Sequence, residues 1–571
     1  MHTQTTALMV SAASGLIGLL APVQLASGMD VTAKKAPNII LIYCDDLDFD
    51  ELNIYDNTRV PSYNGMKQLG IYKPDPDDKS DSHFENMIFL PKGEMVYYDD
   101  PRMHMPVVKK LATEGAVFNR FYITSAICTP SRYSLITGRY ASRSEGVKKE
   151  VDPGNVMFNA HLTIQEGNFA KEMKKNGYET GFVGKWHNGL PEWNDMRLAA
   201  RSLQNRDPED PEVKKIYQSF YSNTVEYLKT DIGFDYVARI FTDNKESLPV
   251  PKRLKVHNLE WVTEGAVDFI GAERSKPFFL YMALTLPHGR YYSTWMEDDP
   301  LATPNGLLKE RPKGMPPREE ILRELEELGI DKRNAIATHI DYSLAAILKE
   351  LQDKKLDKNT LIIFTSDHQS RGKNTCYEVC RVPAFAWWGN HIKPGTVIEE
   401  ICANIDITAT LVDLAGGKVG ADNPQDGKSF KPLLLGKQKG AFREALLLEC
   451  GFSRAVVTKD YKYLANRPTE RIEKLMKEEA QKAMETNTRR RIGWDGKPNR
   501  HPAHAEPGIW FYADRDFPCY FDRDQVYNLT TDYFEQHNIL NTQEGQAVLP
   551  SLKKHMTDLM KDMSYDFGEF K

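Results

Sequence analysis

Cys128 stands in "AICTPSRYSLITGRY" (126–140), with Arg132 four residues on and Arg139 seven beyond that. A cysteine can be a packed thiol, a bridge, a metal ligand or a nucleophile, and its neighbours decide which. Pro130 suits the first turn of a helix and Gly138 the residue that ends one, so the run predicts a short helix capped by Cys128 or Thr129. Residue 128 then lies at a helix N-terminus, where unpaired backbone N–H groups favour an anion. Arg132 is one turn on and can face the same way. This is an anion-binding constellation with a sulfur at its centre, although a lone thiol at a helix start is structural more often than not.

Other candidates follow apolar runs. "PNIILIYCDD" (37–46), "PFFLYMAL" (277–284) and "TLIIFTSD" (360–367) each read as a strand buried on both faces that ends in polar residues. Helical stretches lie between them, at 106–115, 167–177 and 340–356, with Gly115 and Gly177 where C-caps belong. Such alternation predicts an α/β fold: a large, mainly parallel sheet sandwiched by helices. Sites in these sheets gather at the carboxyl ends of strands, and Asp45, Asp46, His288 and Asp367 all fall there. From about 440 the texture changes to short strands with tight turns, then a charged amphipathic helix (469–486) and a polar loop. This predicts a smaller C-terminal α+β domain with an antiparallel sheet, giving 36–440 and 441–571 as the two domains.

At 571 residues the chain is too long for one ordinary core, and its net charge of −6 gives no reason to expect nucleic acid as a partner. Seven cysteines are too sparse for a disulfide framework or zinc ribbon. Cys376 and Cys380 are expected to be packed thiols or part of a bridge to another region. Residues 1–28 carry an apolar run followed by small residues, as in a signal peptide, although no Lys or Arg precedes the run. No later segment approaches membrane-spanning length, so the expectation is an exported, periplasmic or secreted protein without a membrane span.

The stretch "CTPSRYSLITGR" resembles the C-x-P-S-R-x-x-x-(L/I)-T-G-R signature of the sulfatase family, in which the cysteine is oxidised to formylglycine. Further landmarks stand in the family's order. "PNIILIYCDDLDFDEL" resembles the first strand and acidic pair, with Asp48 and Asp50 where glycines are usual. "GFVGKWHNG" resembles the element carrying Lys185 and His187, and "PFFLYMALTLPH" the strand ending at His288. "LIIFTSDHQS" resembles the second metal-binding turn, with Asp367 and His368, and "GKNTCYEVCRVPAFAWWG" the segment offering Lys373.

The resemblance implies an alkaline phosphatase-like fold and a sulfate ester hydrolase. Asp45, Asp46, residue 128, Asp367 and His368 would hold a divalent cation, Ca2+ in preference to Mg2+, with His368 at the edge of the shell. Cys128, Arg132, Lys185, His187, His288 and Lys373 would be catalytic. In that scheme Asp367 assists the attacking hydroxyl, His288 and Lys373 protonate the leaving oxygen, and His187 is the base that regenerates the aldehyde. A formylglycine-generating enzyme is an implied partner. A sulfated glycan is the expected substrate, with the extra length between Asp46 and Cys128 and the loops at 188–250 and 487–520 forming an open rim. Arg489, Arg490, Arg491, His501 and His504 could grip further anions there or simply be solvated. The rival functions are a phosphonate monoester or phosphodiester hydrolase of the same architecture, and a non-catalytic glycan-binding protein whose Cys128 stays a thiol.

Overall fold

The three strands that carry the acidic turns lie side by side at the centre of the larger sheet. In this computed structural model its eight strands run, edge to edge, Thr396–Ile398, Ala116–Phe118, Ala384–Trp387, Thr360–Ser366, Asn38–Asp45, Phe278–Pro287, Glu179–Lys185 and Tyr236–Phe241. The residues described are 36–49, 52, 54–55, 88–89, 95–96, 104–149, 154–288, 295–330, 332–369, 375, 380–420, 423–471, 473–474, 519, 522–532, 535, 537–563 and 567. All pairings among the last five strands of that order are parallel. Ala384–Trp387 is the antiparallel member, paired on both sides. The sheet is therefore mainly parallel, as expected.

The continuous apolar runs are explained by cover on both faces. Ile39, Leu41 and Tyr43 enter one hydrophobic cluster, shared with the helices Cys128–Thr137, Phe169–Lys175 and Ile405–Leu414. Their neighbours Ile40, Ile42 and Cys44 enter a second cluster, with the helices Pro106–Glu114, Leu259–Gly271 and Ala335–Asp353. Alternate side chains point to opposite faces, and here both faces are core. The strand Phe278–Pro287 divides in the same way.

The C-terminal part builds a four-stranded antiparallel sheet from Ala445–Cys450, Ser453–Thr458, Tyr461–Asn466 and Asp524–Asn528. The helix Gln543–Met560 covers it with Leu552, Met556 and Met560, which join the first hydrophobic cluster. One stretch read as a rim loop is not a loop: 188–250 contains the helices Trp193–Ser202 and Pro211–Tyr227 and the edge strand Tyr236–Phe241. Asp210 caps the second helix through N–H groups of Glu212 and Val213, with Pro211 at its first position, a start signal that outweighs the polar composition. The expected signal peptide, most of 47–105, most of the amphipathic helix 469–486 and all of the rim segment 487–520 but Cys519 lie outside the described residues. So do Arg489, Arg490, Arg491, His501 and His504.

Candidate active site

The helix Cys128–Thr137 begins one or two residues earlier than a cap at Cys128 or Thr129 would place it. Its N-cap is Ile127, in extended backbone and without a side-chain cap bond, so neither Cys128 nor Thr129 is the cap. Pro130 is tolerated as the third helical residue because N–H groups of the first turn have no intrahelical acceptor to lose. Gly138 closes the helix at φ 71°, the left-handed region a C-terminal glycine supplies. Cys128 is therefore the first helical residue, buried at the helix N-terminus.

Asp45 ends the first strand, and Asp46 turns the chain at φ 64°. The turn is stitched to its neighbour: the Asp46 N–H donates to Asp367 Oδ1 (3.2 Å), and the Leu47 N–H donates to Ser366 Oγ (3.0 Å). Two cations from other elements enter the same pocket. Arg132 places Nε and Nη2 on Asp367 Oδ2 at 3.1 and 2.9 Å, with Nη2 3.7 Å from Asp45 Oδ2. Lys185 donates to Asp45 Oδ2 and to Asn244 Oδ1. Lys185 turns inward because Gly184 sits at φ 95° at a register shift, where a Cβ would meet Ala283 O at 1.8 Å. Arg132, Lys185, Asp45 and Asp367 have side chains with no solvent exposure.

The donor set fits a hard divalent cation. One candidate ligand atom from each of Asp45, Cys128, Asp367 and His368 lies within 4.8 Å of the others, and the same holds for Asp45, Asp46 and His288. Asp45 Oδ1 is buried without a hydrogen-bond partner. Burial and the neighbouring Asp45 charge push the Asp367 carboxyl above its ordinary range, while His368 and Arg132 pull the other way. Burial likewise raises Asp45, but Lys185, His288 and Arg132 outweigh it and hold the carboxyl well below that range. Crowded carboxylates with an orphaned oxygen are what a cation would relieve. The structure sets His368 inside this group: Nδ1 lies 2.6 Å from Asp46 Oδ1, and Nε2 lies 3.6 Å from Asp367 Oδ1. A ring held by a carboxylate at Nδ1 presents Nε2 as the ligand atom.

His288 lies at the more open side, its side chain 20% exposed, with Nε2 3.0 Å from Asn244 Nδ2 and 3.6 Å from Asp46 Oδ2. His187 sits at φ 47°, with Nε2 3.0 Å from Asp243 Oδ1. Lys373 and Cys376 lie outside the described residues, whereas Cys380 is buried, as a packed thiol would be. The site thus brings together Asp45, Asp46, Cys128, Arg132, Lys185, His288, Asp367 and His368, with His187 beside them. Sequence reasoning missed Asp243 and Asn244. The available signal was "YVARIFTDN", an apolar strand ending in polar residues, but Arg239 at φ 53° breaks the run.

The His187–Asp243 pair predicts a pH signature. Burial lowers the His187 pKa, but the Asp243 carboxylate overrides it, raising the group from 6.5 to about 9. Burial raises Asp243, but His187 brings it from 3.8 down to about 2. Both shifts describe one interaction. A histidine raised on folding adds stability in full below pH 6.5 and loses it as pH climbs through about 9. A depressed aspartate adds stability above pH 3.8 and loses it as pH falls through about 2. The melting temperature of His187→Gln should therefore fall furthest below wild type near pH 5–6, with the gap closing above about pH 9. A gap independent of pH would sink this assignment.

Comparison with known proteins agrees with the geometry. The chain is 26% identical over 527 residues to the ulvan-active sulfatase of Formosa agariphila, covering 86% of this chain and 85% of that one. It is 26% identical over 373 residues to the N-acetylgalactosamine-6-sulfatase of Rattus norvegicus, covering 60% of this chain and 63% of that relative, so under two thirds of the mammalian protein is matched. A solved chain described with the metabolism of multiple glycosaminoglycans by Bacteroides thetaiotaomicron superposes with a TM-score of 0.55 at 19% identity, over 92% of this chain and 99% of that one. That likeness shows the alkaline phosphatase-like fold. The sulfatase family model matches residues 80–417, more than half of the chain and the whole span from the cysteine helix through Asp367, and the chain belongs to the sulfatase family, the sulfuric ester hydrolases.

Proposed function

We propose that this protein hydrolyses sulfate monoesters on a glycan, with residue 128 matured from cysteine to formylglycine and a divalent cation, Ca2+ in preference to Mg2+, at Asp45, Asp46, residue 128, Asp367 and His368. The observation that carries the reading is the gathering of Asp45, Asp367 and His368 around Cys128 at a helix N-terminus, with Arg132 and Lys185 bonded to the two aspartates. The cation would polarise a sulfate oxygen and the attacking hydroxyl. The hydrated aldehyde offers two hydroxyls on one carbon, so the ester formed through one has an exit through the other that a serine ester lacks.

Each residue has a matching task. Arg132 and Lys185 neutralise sulfate oxygens in a site closed to water, where fixed charges act strongly. His288, on the open side, assists the departing alcohol, as Lys373 would. His187 takes the proton of the remaining hydroxyl. Charge supports a monoanionic substrate: among the described residues, three carboxylates face two fixed cations, and a divalent ion turns that deficit into one positive charge. A sulfate monoester balances it, whereas a doubly charged phosphate monoester would not.

The glycan reading is supported by relatives whose names specify ulvan and N-acetylgalactosamine 6-sulfate. Export is supported by the apolar run and the small residues after it within 1–28, a pattern like that of a signal peptide. Separately, no helix among the described residues is long and apolar enough to cross a membrane. The catalytic domain would be 36–440 and the C-terminal subdomain 441–571. A formylglycine-generating enzyme is the required partner. The test is protein co-produced with such an enzyme, its residue 128 verified as aldehyde by peptide mass. It should release sulfate from a panel of sulfated saccharides, lose that activity to a chelator and regain it with Ca2+. No sulfate from any saccharide or aryl sulfate would refute the reading, and preference for phosphodiesters or phosphonate monoesters would favour the rival hydrolase.

A further inference from the structure

The turn Thr242–Asp243–Asn244 follows the edge strand Tyr236–Phe241 and touches both histidines and the lysine. The His187 N–H donates to Thr242 O (3.1 Å), and the ring is held at Nε2 by Asp243 (3.0 Å). Ionised Asp243 only accepts, so the ring proton that meets it sits on Nε2 and a neutral His187 keeps its lone pair on Nδ1. Nδ1 is buried and has no hydrogen-bond partner. Trp193 lies beside the same ring, at 6.4 Å between centroids and 25° between planes. A histidine in left-handed backbone persists only where its surroundings over-determine it, and three of its contacts come from this turn and from Trp193.

Asn244 does the equivalent for the other side of the site. The Lys185 ammonium can only donate, so the oxygen of the Asn244 amide faces it and the nitrogen faces outward. That nitrogen meets His288 Nε2 at 3.0 Å, and His288 Nδ1 is buried without a partner. The amide thereby holds the ring in place beside Asp46 Oδ2, 3.6 Å away.

We propose that Asp243 and Asn244 are positioning residues that assign the two histidines to different steps. Asp243 orients His187 as the proton acceptor at residue 128, and Asn244 locks Lys185 and His288 together on the side from which the alcohol leaves. The inference rests on the formylglycine reading above. The neutral His187 ring accepts at Nδ1 the proton of the hydroxyl left on residue 128 while the carbonyl forms; the C–O bond to sulfate breaks and its electron pair leaves with the sulfate. His288 acts earlier: with Nε2 accepting from Asn244, its Nδ1–H donates a hydrogen bond to the alcohol oxygen as the S–O bond breaks, and that oxygen takes its proton from solvent.

The matured full-length chain, Asp243→Asn and Asn244→Ala would be compared on a sulfated saccharide and on para-nitrophenyl sulfate, with the mass of the residue-128 peptide measured after quenching. Asp243→Asn should lose about 10²–10³ in kcat on both substrates, a typical general-base contribution, and retain sulfate on residue 128. Asn244→Ala should lose about 10² on the saccharide and under about 10-fold on the nitrophenyl ester, whose alcohol leaves without a proton, and it should retain no sulfate. Equal losses on both esters for Asn244→Ala, or no retained sulfate in Asp243→Asn, overturn the corresponding assignment. Nitrogen NMR of the His187 ring above about pH 9, where the ring is neutral, gives a readout that needs no turnover: Nε2 carries the proton in the wild-type chain, and Asp243→Asn weakens that preference. A wild-type His187 protonated on Nδ1 alone overturns the Asp243 assignment even if that variant fails to fold. If wild-type matured protein released no sulfate, the functional reading would fail while the NMR result still decided the role of Asp243.

Discussion

Cys128→Ala is expected to cut sulfate release by on the order of 10⁵–10⁶ in kcat, as removal of a covalent nucleophile does elsewhere. Every other group in the pocket acts on charge or on protons, and none can form the ester that carries the sulfuryl group away from the alcohol. The melting temperature should move by only a few degrees (roughly 1 kcal/mol in a chain this size), because the side chain is small. Cys128→Ser gives a sharper result: a serine hydroxyl can take the sulfuryl group once but has no second hydroxyl to expel it, so alcohol release should stop near one equivalent, with the sulfate left on the serine and none set free. Sulfate release by the alanine variant within about 10-fold of wild type would eliminate residue 128 as the nucleophile.

Arg132→Leu carries the second large effect, and it falls on stability as well as rate. The guanidinium is wholly buried, ion-paired to Asp367 at 2.9 Å and bonded to the Lys185 carbonyl at 3.2 Å. Burial disfavours its charge, yet Asp367, Tyr281 and Asp45 hold its pKa above the ordinary arginine value. Removing it leaves Asp367 buried without its strongest partner, which costs about 3–5 kcal/mol in other proteins. A cation at the same carboxylates offsets part of that loss, so denaturant unfolding should show a larger deficit in chelator than in Ca2+. The variant should also lose about 10²–10³ in kcat through weaker stabilisation of the transferring group. A stability loss under about 1 kcal/mol in chelator, the range of an exposed pair, would show that the buried pair is not what holds this pocket together.

Much of this was legible before any coordinates. The runs Asn38–Asp45, Phe278–Pro287 and Thr360–Ser366 are apolar without alternation because both their faces are core, a local property that composition records directly. Gly138 marks the helix end because only glycine takes φ 71° cheaply there. The 188–250 segment was harder to read: its helix Pro211–Tyr227 buries only Val213, Tyr217 and Thr224, too few apolar positions to stand out from a polar loop. Asp243 and Asn244 went unseen for a related reason, since an edge strand carrying Arg239 does not resemble a buried one.

By itself the sequence determined the strands, the anion-favouring helix start at residue 128 and the residue types that ring it, because propensity, capping and burial act over a few residues at a time. Tertiary structure alone decided which charges meet: Arg132 reaches Asp367 across 235 positions, Lys185 reaches Asp45 across 140, and Asp243 reaches His187 from a neighbouring strand. Those pairings follow from strand order and register, which depend on how distant segments pack and leave no periodic mark in the chain.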